Sequence, residues 1–295
     1  MSRQPFPAIR AVEPPERILL ATDLSCRCDR AQDRAVWLAE QWDSRLTLLH
    51  VLEAPASDLP SGRHATDTRI AERHFQPGLH GRAIAFDIVL ERGDPTGVIL
   101  TQAIERNCQM IVTGVAQHRV LGAVRLGQTV EHLTRWAPMP VLVVKSRACQ
   151  SYARIVVATD RSEPSRLALA HALALFPEAS ITLFHAFGVP FEGVIDRQAH
   201  EAEYRNAARE ECSVFLANVP GSPDLIGQVE MLVEHGSPEA LIGAYVQDMD
   251  VDLVILGAHG RAGASRGLIG SSAARLLASL TCDVMMVRPP QEMLQ

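Results

Sequence analysis

No apolar run in these 295 residues approaches the length that spans a bilayer, and no tract is dominated by Gly, Ser, Gln or one sign of charge. The first absence argues against a membrane protein and the second against disordered or fibrous material. The opening MSRQPFPAIRAVEPPERILLATD has charges and prolines before any apolar core of signal-peptide length, so export is not expected and the cytoplasm is the expected compartment. Basic residues are not in excess: 28 Lys and Arg face 34 Asp and Glu, for a net charge of −6, which argues against general nucleic-acid binding. Six scattered cysteines lack both C-x-x-C spacing and the density of a disulfide scaffold, so reduced thiols are expected. Two signatures are also missing, G-x-x-x-x-G-K-[ST] after a first strand and G-x-G-x-x-G at a strand-to-helix turn, which removes P-loop and dinucleotide readings.

What the chain does have is length for two domains, 47% hydrophobic residues, and an internal repeat with a period of about 140 residues. RILLATDLS (17–25) matches RIVVATDRS (154–162), and SRLTLLHVLE (44–53) matches ASITLFHAFG (179–188). DIVLERGDPTGVI answers EMLVEHGSPEALI, CQMIVTG answers VDLVILG, and MPVLVVK answers CDVMMVR. These short, Val/Ile/Leu-rich runs do not alternate, as strands buried on both faces of a parallel sheet read, and they imply five strands per half. Helical patterns lie between them. In SEPSRLALAHALALF, Ser162 is placed to cap and Pro164 to sit in the first turn. Strands alternating with helices imply a doubly wound α/β layer, built twice. The boundary falls in SRACQSYA, giving domains 1–148 and 149–295. A long helix is expected over about 198–218, whereas its first-half partner is interrupted by Pro77 and Gly78 and must be shorter.

The stretch GAHGRAGASRGLIGSS (257–272) holds five glycines and follows the fourth strand of the second half. In open parallel sheets, ligands sit beyond the carboxyl ends of the strands where the winding reverses. Asp160 ends the first strand and Gly257 the fourth, and a flavodoxin-like order is expected to bring them together across the crevice. Gly257 and Gly260 let the backbone turn and a bulky ligand approach. Gly270 with Ser271 and Ser272 opens the helix SSAARLLASL, whose free amides and partial positive charge suit phosphate. Asp160 would repel phosphate and so suits the opposite end of a nucleotide.

In these residues the second half resembles a universal stress protein domain of the ATP-binding type. Gly257, Gly260, the nine residues RAGASRGLI, then Gly270 and Ser271 match that family's G-x-x-G, nine residues, G-[ST] pattern without a gap. The likeness extends to both halves. It implies two tandem Rossmann-like domains (flavodoxin-like or adenine nucleotide alpha hydrolase-like), each a five-stranded parallel sheet with helices on both faces. It also implies adenine near Ala158, Thr159, Asp160 and the backbone of Ala186, just after the second strand. Ribose and phosphates would lie among Leu256, Gly257, Gly260, Arg261, Gly270, Ser271 and Ser272. The ligand implied is ATP, with or without Mg²⁺. In the first half Asp23, Val51 and Gly114 occupy the matching places, but Gln117 replaces the second glycine, and Gly127 is followed by Gln128 and Thr129. The two glutamines should crowd the phosphate path, leaving one competent site per chain and a degenerate first half. Domains of this family commonly pair through the fifth strand, which implies an intramolecular pseudo-dimer and leaves a homodimer open. The function implied is a nucleotide-responsive stress regulator acting through a protein partner, with no catalytic residues and no metal site. An interaction scaffold without nucleotide and a slow ATP hydrolase are the alternatives.

Plainer readings stand beside these. Asp160 also suits a loop cap, and Arg261 and Arg266 suit a solvated surface. His50 and His185, at matching strand ends, fit packed or backbone-bonded rings better than catalysts. His259 alone makes no metal site. In Cys26-Arg27-Cys28 a helix start is one way to lower a thiol pKa, which leaves redox sensing open beside ordinary loop cysteines. A phospho-receiver would need clustered acids by the first strand, where Asp23 and Asp160 stand nearly alone.

Overall fold

The apolar runs become strands with almost no solvent exposure: Ile18, Leu19 and Leu20 in one half and Val254, Ile255 and Met285 in the other are all at 0%. A computed structural model describes residues 11–26, 28–52, 63–115, 117–120, 123–148, 150–188, 197–220, 223–258 and 269–289. The chain divides into a first unit, Pro14–Ser151, and a second built on Tyr152–Gln295.

The first unit runs β1 (Arg17–Thr22), α1 (Asp29–Trp42), β2 (Arg45–Leu52), α2 (Arg63–Leu79), β3 (Phe86–Arg92), α3 (Pro95–Glu105) and β4 (Met110–Gly114). It continues through β5 (Gln117–Val120), β6 (Ala123–Leu126), α4 (Gln128–Trp136) and β7 (Val141–Val144). The second runs β8 (Arg154–Ala158), α5 (Glu163–Leu175), β9 (Ser180–Phe187), α6 (Arg197–Ala217), α7 (Pro223–Gly227) and β10 (Glu230–His235). It closes with α8 (Pro238–Asp248), β11 (Leu253–Gly257), α9 (Ser271–Ser279) and β12 (Asp283–Val287).

Each unit has one five-stranded, wholly parallel sheet, β7-β4-β1-β2-β3 in the first and β10-β9-β8-β11-β12 in the second. Numbered within a unit, the order is 3-2-1-4-5. The first and fourth strands are therefore neighbours, as the site requires. They are so through the Rossmann order, since the flavodoxin order 2-1-3-4-5 would seat the third strand beside the first. Ala158 pairs with Leu256, which brings the ends of β8 and β11 level.

Local chemistry explains the boundaries. Ser162 caps α5 by accepting from the Ser165 amide, and Pro164 lies in the first turn. Tyr152 starts the second unit. Its hydroxyl donates to the buried Asp283 carboxylate at 2.6 Å, and its ring meets Phe176 edge-on.

Two features depart from the sequence expectation. The antiparallel ribbon β5–β6 adds two strands to the first unit outside its main sheet. The other is α2, which continues through Pro77 to Leu79, although at 17 residues it is shorter than the 21 of α6, as expected. Pro77 stands in the last turn, where its missing N–H forfeits a single helical bond. Gln32 of α1 holds that turn by donating from Nε2 to the Phe75 carbonyl at 3.1 Å. A Cβ at Gly78 would lie 2.3 Å from that Nε2, so a side chain there would displace the Gln32 amide.

Candidate functional site

The residues after β8 form a tightly bonded turn. The Thr159 amide donates to the Phe184 carbonyl at 2.9 Å, extending the pairing one residue past the strand. Thr159 Oγ1 accepts from the Arg161 amide, and Asp160 Oδ1 accepts from the Ser162 amide at 3.0 Å. His185 Nδ1 lies 2.8 Å from the Thr159 carbonyl. A carbonyl only accepts, so Nδ1 carries the proton and Nε2 is left as an acceptor, which the Arg161 guanidinium meets. Burial lowers the His185 pKa and keeps the ring neutral. The first unit repeats this frame: the Leu24 amide donates to Thr22 Oγ1, the Ser25 amide to Asp23 Oδ1, and His50 Nδ1 lies 2.9 Å from the Thr22 carbonyl. Both histidines are backbone-bonded rings, and Asp160 and Asp23 each cap their own turn.

One residue of this frame was not legible as functional. Arg161, with φ of +63°, reaches from the strand end to Glu211 of α6 at 2.8 Å, and its buried Nε has no partner. Leu24 takes the same left-handed conformation in the first unit. The only sequence signal for Arg161 is that a charged residue stands where the other repeat has leucine.

Across the crevice, the Ala258 amide donates to the Val287 carbonyl and the Gly270 amide returns to the Ala258 carbonyl, both at 2.9 Å. These bonds fix the start of α9 at the end of β11. Gly270 is the N-cap, has no side chain to offer, and has a φ of −56° that any residue adopts. The first helical bond recorded from this turn is that of the Ala274 amide to the Gly270 carbonyl. The amides of Ser271, Ser272 and Ala273 thus have no acceptor within the helix, and the first turn carries no acid. Ser271 is exposed and Ser272 partly so.

Gly257 has a packing role that its sequence position did not show. A Cβ there would lie 2.7 Å from the Pro164 carbonyl carbon and 2.8 Å from the Ser165 nitrogen. The close approach of α5 is by itself a reason for glycine here. Ala186 is also placed differently. It lies within β9, paired with Glu234, because that strand continues to Phe187. Gly260, Arg261, His259 and Arg266 lie outside the described residues.

A polar network at this end was missed in the sequence. Glu239, in the first turn of α8, accepts from Arg275 Nε and from the Ser237 hydroxyl, each at 2.7 Å. Partial burial would raise its pKa, but hydrogen bonds from Ser237, Arg275 and Ser272 outweigh that and hold it at about 2. Arg275 Nη2 also lies 3.5 Å from Ser272 Oγ. Ser272 is thus held by side chains from two helices whose sequence separation conceals their meeting.

In the first unit, the equivalent crevice is open. A cavity of about 690 Å³ lies between the ends of β1, β2 and β4 and the start of α4. Asp23, Val51, Gly114, Gly127, Gln128 and Thr129 all line it. Gln128, exposed at the first position of α4, stands at the wall of this cavity. Gln117 belongs to β5, and its side chain lies outside the described residues. Cys28 lines the same cavity, and burial, with Asp23 adding to it, raises its thiol to about 11. A lowered thiol pKa at this helix start is therefore not found. Among the described residues, no helix is long and apolar enough to cross a membrane.

A profile of the universal stress protein family matches this chain twice, over residues 15–145 and 151–288. A universal stress protein of Mycolicibacterium smegmatis is 27% identical over 299 residues, covering 92% of this chain and 97% of that protein. Universal stress protein E of Escherichia coli is 26% identical over 208 residues, covering 67% of this chain and 66% of the relative. Among solved structures, a putative universal stress protein of Pseudomonas aeruginosa has a TM-score of 0.69 at 23% identity, covering 95% of each chain. One from Archaeoglobus fulgidus has a TM-score of 0.66 at 16% identity, covering 95% of this chain and 98% of that one. These structures share the fold.

Proposed function

Because this chain belongs to the universal stress protein family, we propose that it is an ATP-binding regulator of the stress response, with the nucleotide held in the second unit. The observation that carries this reading is the start of α9. Three amides without helical acceptors and two serines stand at the end of β11, next to the strand that delivers Asp160, and no acid in the turn opposes an anion. A dipole contributes only about 1 kcal/mol, so amides and hydroxyls act together on the phosphates. Asp160 takes the base and ribose end, since beside the phosphates it would repel them. Binding rather than turnover is the function. Glu239 is already committed to Ser237, Arg275 and Ser272, so Mg²⁺ would arrive with the phosphates instead of in a carboxylate pair.

For about thirty heavy atoms at about 0.3 kcal/mol each, affinity is about micromolar, low enough for cellular ATP to fill the site. Occupancy would then be read by a protein partner in the cytoplasm. Isothermal titration with ATP, with and without Mg²⁺, tests this. Asp160→Ala and Gly270→Gln should each weaken binding at least tenfold. If wild-type protein takes up no ATP, the chain is an interaction scaffold. ADP formation lost with the same substitutions would make it a slow hydrolase.

A further inference from the structure

The first-unit cavity differs from the second unit's crevice in the helix start beside it. Its charged lining residues are Asp23 and Glu131, and among the described residues no Lys, Arg or His lines it. The start of α4 has a glycine N-cap without a side-chain bond, like α9, but Glu131 stands in its first turn. That carboxylate already answers the helix's positive end. In α9 the same place is Ala274, and the turn has no acid. A polyphosphate at the start of α4 would therefore meet the Glu131 carboxylate and a dipole already compensated. An uncharged molecule would meet a suitable wall: Leu49, Val51 and Ile99 are apolar, and Thr113, Gln128 and Thr129 offer hydroxyl and amide partners. The volume of about 690 Å³ falls in the ordinary range of small-molecule sites, about 300–1,000 Å³.

We propose that this cavity is a second binding site, one that takes an uncharged nucleoside and rejects its triphosphate, so that the two units of one chain sort related ligands by charge. The choice of a nucleoside rests on the nucleotide reading of the second unit, whose Thr-Asp-His frame the first unit repeats. The Asp23 carboxylate accepts hydrogen bonds from sugar hydroxyls, which every nucleoside presents, or from the exocyclic amine of adenosine.

Equilibrium dialysis of the full chain against radiolabelled adenosine, in parallel with ATP, tests the proposal. It is run in an Asp160→Ala/Gly270→Gln background that disables the second unit. Adenosine should be retained, with ATP at least tenfold weaker. Adding Val51→Trp, which fills the cavity, should weaken adenosine at least tenfold. Adding Glu131→Lys, at an exposed position, should strengthen ATP at least tenfold and change adenosine less than threefold. No adenosine uptake, uptake indifferent to Val51→Trp, or ATP bound as tightly as adenosine without Glu131→Lys would overturn it. The second unit's nucleotide reading fails separately, if ATP uptake by the otherwise unaltered chain ignores Gly270→Gln.

Discussion

The two units share one backbone plan and differ in what their helix starts present to the crevice. Both have the 3-2-1-4-5 sheet, the Asp-capped turn, a histidine clamped on a threonine carbonyl, and a glycine N-cap on the last helix. In the first, that helix begins Gln-Thr-Val-Glu and neutralises its own dipole; in the second, it begins Ser-Ser-Ala-Ala and does not. Ligand preference can therefore diverge between repeats without any change of fold, because helix-end electrostatics act within a single turn.

The comparison breaks most sharply at Gly257. Replacing it with alanine drives a methyl group into the α5 backbone, and overlap of this kind costs about 1–3 kcal/mol. Urea unfolding should show the second unit losing stability while the first keeps its own transition. Equal loss in both transitions, or none, would mean that α5 adjusts freely.

A smaller effect is expected from Arg161→Leu, which gives the second unit the first unit's residue. Leu24 already has the same left-handed φ, so backbone strain is matched and only polar contacts change. The buried His185 Nε2 loses its donor and Glu211 its ion pair, for about 1–2 kcal/mol in chemical denaturation. A neutral outcome would show that removing the unpartnered Nε offsets that loss.

The smallest effect is that of pH. Burial lowers the pKa of His185 and of His171, so the folded second unit prefers neutral rings. The unfolded chain binds protons first, near pH 6.5, and stability that is complete above this value declines as pH falls through the folded pKa values. Urea midpoints measured from pH 7.5 to 5 should fall, and His185→Gln should flatten part of that slope. An unchanged slope would assign the dependence to His171.

Much of the fold was legible because its signals are local. Non-alternating apolar runs marked ten strands of the parallel sheets, and Ser162 with Pro164 marked the start of α5. The site was legible only in part. The Gly257–Gly270 spacing identified the right loop, but the motif gave Gly257 a ligand's reason where α5 supplies a packing one. The Ser237–Glu239–Arg275–Ser272 network joins two helices whose meeting no spacing rule reveals. Proline at 77 reads as a break, but its cost depends on its place in the last turn and on Gln32 arriving from α1.

By itself the sequence determined the repeat, the identity of the strands and the charge of each helix start, since backbone preference, burial pattern and formal charge are properties of a segment and its near neighbours. Only the tertiary structure decided that the first crevice encloses a cavity, that Gly257 serves α5, and that Arg161 spans to Glu211. Those outcomes depend on which atoms segments distant in the chain bring within a few ångströms, where packing and hydrogen bonding act.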